Sequence, residues 1–220
     1  MRRRETESHD VQPDKLILRA NNNSWWVREA VATNPLTPPD VLMQLAEDEE
    51  EDVRSGITHN PSTPPDTLTK LATDKSQWVR SGVAANNTVS GAVLTTLGSD
   101  ECVEVREAVA KNPHTPTAIL TNLANDENEF VRRAVASNLH TPPTTLVELG
   151  KDINYIVRQA VARNMSTPPD TLANLTKDEN RLVVSAVMEN PHTLTNLGLP
   201  VGVPMPNAYN MSRTNTMEIS

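Results

Sequence analysis

The stretch Val27–Asp48 (VREAVATNPLTPPDVLMQLAED) recurs, with substitutions, from Val53, Val79, Val105, Val131, Val157 and Val183. Each start lies 26 residues after the previous one, with no insertion or deletion. Self-similarity at a fixed period of this size marks an array of stacked units, each burying its apolar face against its neighbours. No other feature constrains the fold as tightly. The expectation is an all-α solenoid of about seven 26-residue, two-helix repeats without strands, over residues 11–197. A polar tail at 1–10 precedes it, and an extended or disordered tail at 198–220 follows.

Two short helices fit each period. The first begins after Ser24, Ser76, Asn128, Asn154 and Asn180, residue types whose side chains accept hydrogen bonds from unpaired helix amides. Its buried stripe reads Val27, Ala30 and Val31, a spacing that puts all three on one helix face. The middle position is always Ala or Gly (Ala30, Gly56, Gly82, Ala108, Ala134, Ala160, Ala186), which lets a neighbouring helix approach closely. The helix ends near Asn34, and a proline follows that asparagine in four repeats. The second helix opens with Thr37-Pro38-Pro39-Asp40, read as an N-cap, a first-turn proline and a capping-box acid. It buries Leu42 and Leu45. Helices of about nine residues do not persist alone in water, so stacking must supply the stability. In the third repeat Val89-Ser90-Gly91 replaces Thr-Pro-Pro. A missing helix start, with a bend or a mobile segment, is expected there.

The ends depart from the period. Residues 13–20 match its second half, with Arg19 where later repeats carry leucine; a wetted outer face would let this half-repeat cap the array. At the other end no Pro-Pro follows Thr193, and Gly198 closes the pattern. From Leu197 to Pro206 apolar residues alternate with Gly or Pro. This strip is expected to fold back over the last long helix, near 181–189, with a tail beyond it.

Charge narrows the function. The chain carries −8, and residues 1–10 and 198–220 each sum to zero, so the array holds the whole excess. An acidic array repels phosphate backbones, which argues against general nucleic-acid binding. A single cysteine, Cys102, excludes an intramolecular disulfide and a multi-cysteine metal centre. No apolar run approaches the roughly 18–20 residues of a membrane span, and MRRRETESHD lacks the apolar core of a signal peptide. A cytoplasmic location is expected, or a virion-associated one for a phage component.

Two polar rows run through the repeats. Asp48, Asp74, Asp100, Asp126, Asp152 and Asp178 share one position, and Arg54, Arg80, Arg106, Arg132 and Arg158 follow six residues later, with Arg28 leading the series. A ligand site would need a few special repeats; a structural ladder needs all of them. The second row, Asn34, Asn60, Asn86, Asn112, Asn138, Asn164 and Asn190, is unbroken, and three members lack the following proline. Asparagine tolerates a left-handed backbone and bonds neighbouring peptide groups. Both rows are expected to be structural.

The pattern VRxxVAxNPxTPxxxLxxLAxD, as in Val27–Asp48 and Val105–Asp126, resembles the leucine-rich repeat variant family, a bacterial α-solenoid relative of HEAT repeats. The resemblance covers residues 13–197. It implies a right-handed superhelix of alternating α and 3₁₀ or short α helices. The Asp-to-Arg offset likewise resembles the HEAT ladder. The cysteine-ligated iron–sulfur cluster of a founding member is not carried over, because residues 1–30 contain no cysteine.

Other candidates are weaker. His114, His140 and His192 share a loop position, with His59 nearby, but stacking separates equivalent atoms by roughly 8–10 Å. Metal ligands lie near 2 Å, so no metal site is expected. The six acids Glu47–Asp52 fit a solvated loop feeding a helix N-terminus. Trp25, Trp26, Trp78, Phe130 and Tyr155 are expected to pack between repeats, except that adjacent tryptophans cannot both be buried. Trp25 is therefore a candidate partner contact. The variable second-helix positions Gln44, Lys70, Thr96, Asn122, Glu148 and Asn174 are further candidates. No nucleophile–base pair, phosphate loop or carboxylate pair stands out. The chain reads as a non-catalytic protein-interaction scaffold without a cofactor. The alternatives are a structural component of a larger assembly tethered by its C-terminal tail, and a HEAT-like nucleic-acid binder. Expected partners are proteins, with end-to-end self-association if the C-terminal face is uncovered.

Overall fold

A computed structural model describes residues 13–196 of the 220-residue chain. The described residues form fifteen helices and no strand. Helix α1 (Pro13–Arg19) is the half-repeat. Seven long helices follow: α2 (Trp25–Ala32), α4 (Glu51–Thr58), α6 (Gln77–Ala85), α8 (Val103–Lys111), α10 (Glu129–Ser137), α12 (Tyr155–Arg163) and α14 (Arg181–Glu189). They alternate with short ones: α3 (Pro39–Leu45), α5 (Pro65–Leu71), α7 (Gly91–Leu97), α9 (Thr117–Leu123), α11 (Pro143–Leu149), α13 (Pro169–Leu175) and α15 (Pro191–Asn196). The short helices are α-helical, seven residues long in α3 and six in α15, less than the nine expected.

Successive long helices pack directly on one another, whereas successive short helices, α13 and α15 excepted, stand further apart. Small residues permit the closer packing. A Cβ added at Gly56 would lie 3.2 Å from the Cβ of Ala32, and one added at Gly82 would lie 2.9 Å from the Cβ of Thr58. The fit therefore joins the Ala/Gly position of one repeat to a second small residue on the preceding long helix. That partner is Ala32, Thr58, Ala84, Ala110, Ala136 and Ala162, all fully buried, and the expected stripe omitted it. In the first repeat no long helix precedes α2, so Ala30 is exposed and Val27 only half-buried.

Leu42, Leu45 and their equivalents fill the space between layers. Each contributes about 1.5–3 kcal/mol by leaving water.

Helix starts follow two rules. Ser76, Asn128, Asn154 and Asn180 accept from the amide two residues on, while Ser24 makes no such bond. At the short helices the cap is Pro38, not Thr37. Thr37 instead donates its hydroxyl to the carbonyl of Val31 at 2.6 Å, tying the connecting turn to the end of α2. Thr63, Thr115, Thr141 and Thr167 do the same. The third repeat does not lack its helix start. Ser90 caps α7 by accepting from the amide of Val93, and Val89 fills the buried threonine position.

The ends also differ from expectation. Leu16 and Ala20 of the half-repeat are buried; its open face is mixed, with Asp14, Lys15, Ile17 and Leu18 exposed and Arg19 half-exposed. Helix α15 starts directly after Asn190 without a Pro-Pro signal and packs on α13 and α14. The tail expected at 1–10, the strip from Leu197 to Pro206 and the tail beyond it lie outside the described residues.

Candidate binding surface

The ladder residues come together in a repeating clasp. Arg28 donates from Nε and Nη2 to both carboxylate oxygens of Asp48, at 2.5 and 2.8 Å. Arg54–Asp74, Arg80–Asp100, Arg106–Asp126, Arg132–Asp152 and Arg158–Asp178 repeat this fork. The third guanidinium nitrogen reaches the preceding connection: Nη1 of Arg54 donates to the carbonyl of Asp48 at 2.6 Å. Each Asp also accepts from the amide two residues on, as Asp126 does from Asn128 at 2.9 Å. Asparagine at position 22 replaces the first Asp, and its carbonyl accepts from Nη1 of Arg28 as the Asp carbonyls do in later repeats.

All six carboxyls sit below the usual carboxylate range. For five of them burial is the largest single influence and pushes upward, but the arginine bond, the backbone amide and the arginine charge together outweigh it. For Asp178 the bond from Arg158 is itself the largest influence. The arginines are raised, first by the same side-chain bond and against burial.

The asparagines stitch repeat to repeat. Nδ2 of Asn112 donates to the carbonyls of Ala84 and Asn86 in the preceding repeat, at 2.7 and 3.1 Å, while Oδ1 accepts from His114. Asn60, Asn138, Asn164 and Asn190 bond identically, and Asn86 reaches the carbonyl of Thr58. The side chain of Asn34 bonds only the amide of Leu36 in its own turn, although its carbonyl accepts from Asn60. The backbone is extended at these sites, with φ −68° at Asn112 and −74° at Asn138, so the left-handed conformation is not used. The amide side chain is what each position needs.

What remains free is the surface. Gln44, Lys70, Thr96, Asn122, Glu148 and Asn174 are all exposed. Three are already engaged: Gln44 with Asn21, Lys70 with Glu47 and Glu148 with Lys151. The acidic run Glu47–Asp52 is divided among roles. Asp48 is in the ladder, Glu50 caps α4, Glu51 and Asp52 occupy its first turn. Among the described residues no group of three or more His, Cys, Asp or Glu is placed to hold a metal, and no helix is long and apolar enough to cross a membrane. Cys102 is half-buried at the start of α8, 3.6 Å from Nη2 of Arg80.

The aromatic residues do not pack between repeats. Trp25, Trp26, Trp78, Phe130 and Tyr155 are all exposed, whereas Val103 and Ile156 at the equivalent positions are partly buried against the core. Aligning the period shows a row the sequence reading missed: Trp26, Asp52, Trp78, Glu104, Phe130, Ile156 and Leu182, one residue per repeat. Trp26 is 61 %, Trp78 56 %, Phe130 47 % and Leu182 52 % exposed. An open cleft beside this row is bounded by Ile153, Tyr155, Arg158 and Glu179.

These features define the class: an all-α solenoid whose repeats are locked by two side-chain ladders. Its repeats at 25–50 and 103–128 match the family model described as leucine rich repeat variant. A solved structure described as a leucine-rich repeat variant with a novel repetitive structural motif is similar at 27% identity and a TM-score of 0.62, over 81% of this chain and 71% of that one. The resemblance read from the sequence thus holds in both repeat and fold. More distant similarities are to YibA of Escherichia coli (16% identity, TM-score 0.48, 86% of this chain and 98% of that one) and to a designed armadillo repeat protein (15%, 0.40, 83% and 100%). No curated protein sequence matches.

Proposed function

We propose that the chain is a non-catalytic protein-interaction scaffold whose binding face is the row at the starts of the long helices. One observation carries this reading: large apolar side chains recur in the open at one repeat position, while the ladder side chains are engaged in holding the stack. Contiguous exposed apolar surface marks interaction sites, and aromatic residues supply much of the energy at protein interfaces. The emphasis thereby moves from the second-helix positions to the long helices, with Trp25 beside the row. A cytoplasmic location suits the single free cysteine.

The test is to pan an unbiased displayed peptide library on the full chain and on a Trp26→Ala/Trp78→Ala/Phe130→Ala variant. The three side chains are exposed, so circular dichroism and melting should be unchanged, and selected peptides should lose binding to the variant. Peptides that bind both proteins equally would overturn this choice of face.

A further inference from the structure

The interaction row is not uniform along its length, and its two halves differ in charge. At the N-terminal half the exposed positions alternate: Trp26, Asp52, Trp78, Glu104. Further acids flank them on the same helices and connections, among them Glu29, Glu51 and Glu101. Asp52, Glu51 and Glu104 make no ion pair among the described residues, and Lys111 is occupied by Glu107 at 2.6 Å. Beyond Glu104 the row turns apolar, with Phe130, Ile156 and Leu182. There Arg133, Arg163 and Arg181 offset the acids of α10 and α14.

Resting on the scaffold reading, we infer that the half-row Trp26–Asp52–Trp78–Glu104 docks an extended basic segment of a partner protein, with Lys or Arg side chains seated between indole rings and carboxylates. Three arguments select this occupant. A cation over an indole face is favourable by roughly 0.5–2 kcal/mol, more so as it loses water, and here Trp78 has a carboxylate one repeat to either side, Asp52 and Glu104, while Trp26 has Asp52 on one side. Complementary charge at an interface steers encounter and rejects like-charged partners, so an acidic segment or a nucleic acid is repelled from this half. Geometry sets the conformation. Four repeats span roughly 24–30 Å at helix spacing, which an extended chain at about 3.3 Å per residue covers in about eight residues. A helical segment of the same reach would present its side chains at a period that does not match the stack.

The experiment uses the full-length chain and dye-labelled twelve-residue peptides, one with Lys or Arg at every second or third position and one with Glu at the same places. The basic peptide should bind saturably by fluorescence anisotropy, shift the tryptophan emission and weaken with added salt; the acidic one should not bind. Trp26→Ala/Trp78→Ala and, separately, Asp52→Lys/Glu104→Lys should each weaken binding by about tenfold or more. Phe130→Ala should change it little. Unaltered melting temperatures keep these losses from being losses of fold. No binding of the basic peptide, or equal binding by the charge-reversed variant, overturns the inference. If basic peptides fail but panned peptides of other composition still depend on Trp26 and Trp78, this inference falls while the scaffold reading stands. If no panned peptide depends on the face, both fall.

Discussion

Threonine 58 and glycine 82 occupy positions where most other repeats carry alanine twice, and each departure makes sense only beside the other. Thr58 is buried, its hydroxyl donates to the carbonyl of Ser55 at 2.7 Å, and Gly82 leaves the room it needs. Gly82→Ala should therefore cost about 1–3 kcal/mol by overpacking. Adding Thr58→Ala should recover it and gain up to about 1 kcal/mol from helix propensity; urea melts of the single and double variants check this. A second contrast lies in the turn threonines. Thr141 donates to the carbonyl of Val135, but the equivalent Thr193 is buried with no partner for its hydroxyl among the described residues. Thr141→Val should cost about 1 kcal/mol, whereas Thr193→Val should be neutral or stabilising. Single residues were unevenly legible. Ser76, Asn128, Asn154 and Asn180 announce their caps by type and place. Thr37 was misassigned because a threonine before proline looks like a cap, and its true acceptor six residues upstream belongs to the folded turn.

At the scale of the helix pair, the ladders decide cooperativity. Asn138→Ala strips bonds from the carbonyls of Ala110 and Asn112 and should cost about 1–3 kcal/mol. Asn34→Ala touches no other repeat and should cost markedly less in the same denaturant titration. Because the six ladder carboxyls titrate lower when folded than when unfolded, their contribution is complete above the ordinary carboxylate value near 3.9. It is lost as pH falls through the lowered folded values. The urea midpoint should hold from neutral pH to about 4 and then drop, and Asp126→Asn should make the drop shallower. Helix existence and period were readable from apolar spacing and caps. The third repeat was misjudged because proline was taken as the required start signal, when Ser90 alone suffices.

At the scale of the whole molecule, the repeat made the solenoid plain, because a gapless period leaves few other ways to bury the apolar positions. The exposed row was hidden, since aromatic type suggests burial and only the three-dimensional stack shows which helix positions lie outside it. Head-to-tail growth would bring Met188, which stands where inner repeats carry Ala, toward the open Ala30. That junction would be overpacked, so sedimentation over a wide concentration range should show no filament. The Thr58–Gly82 fit has a genetic consequence. Deletion of residues 53–78 would set Gly82 against Ala32, a pairing of the kind already present at Gly56. Deletion of residues 79–104, of the same length, would drive Ala108 into Thr58. Unequal recombination should thus trim the array at lower cost by its second unit than by its third, and the chain lacking 79–104 should melt below the chain lacking 53–78. In an array of related units, one threonine and one glycine thus decide which neighbours fit.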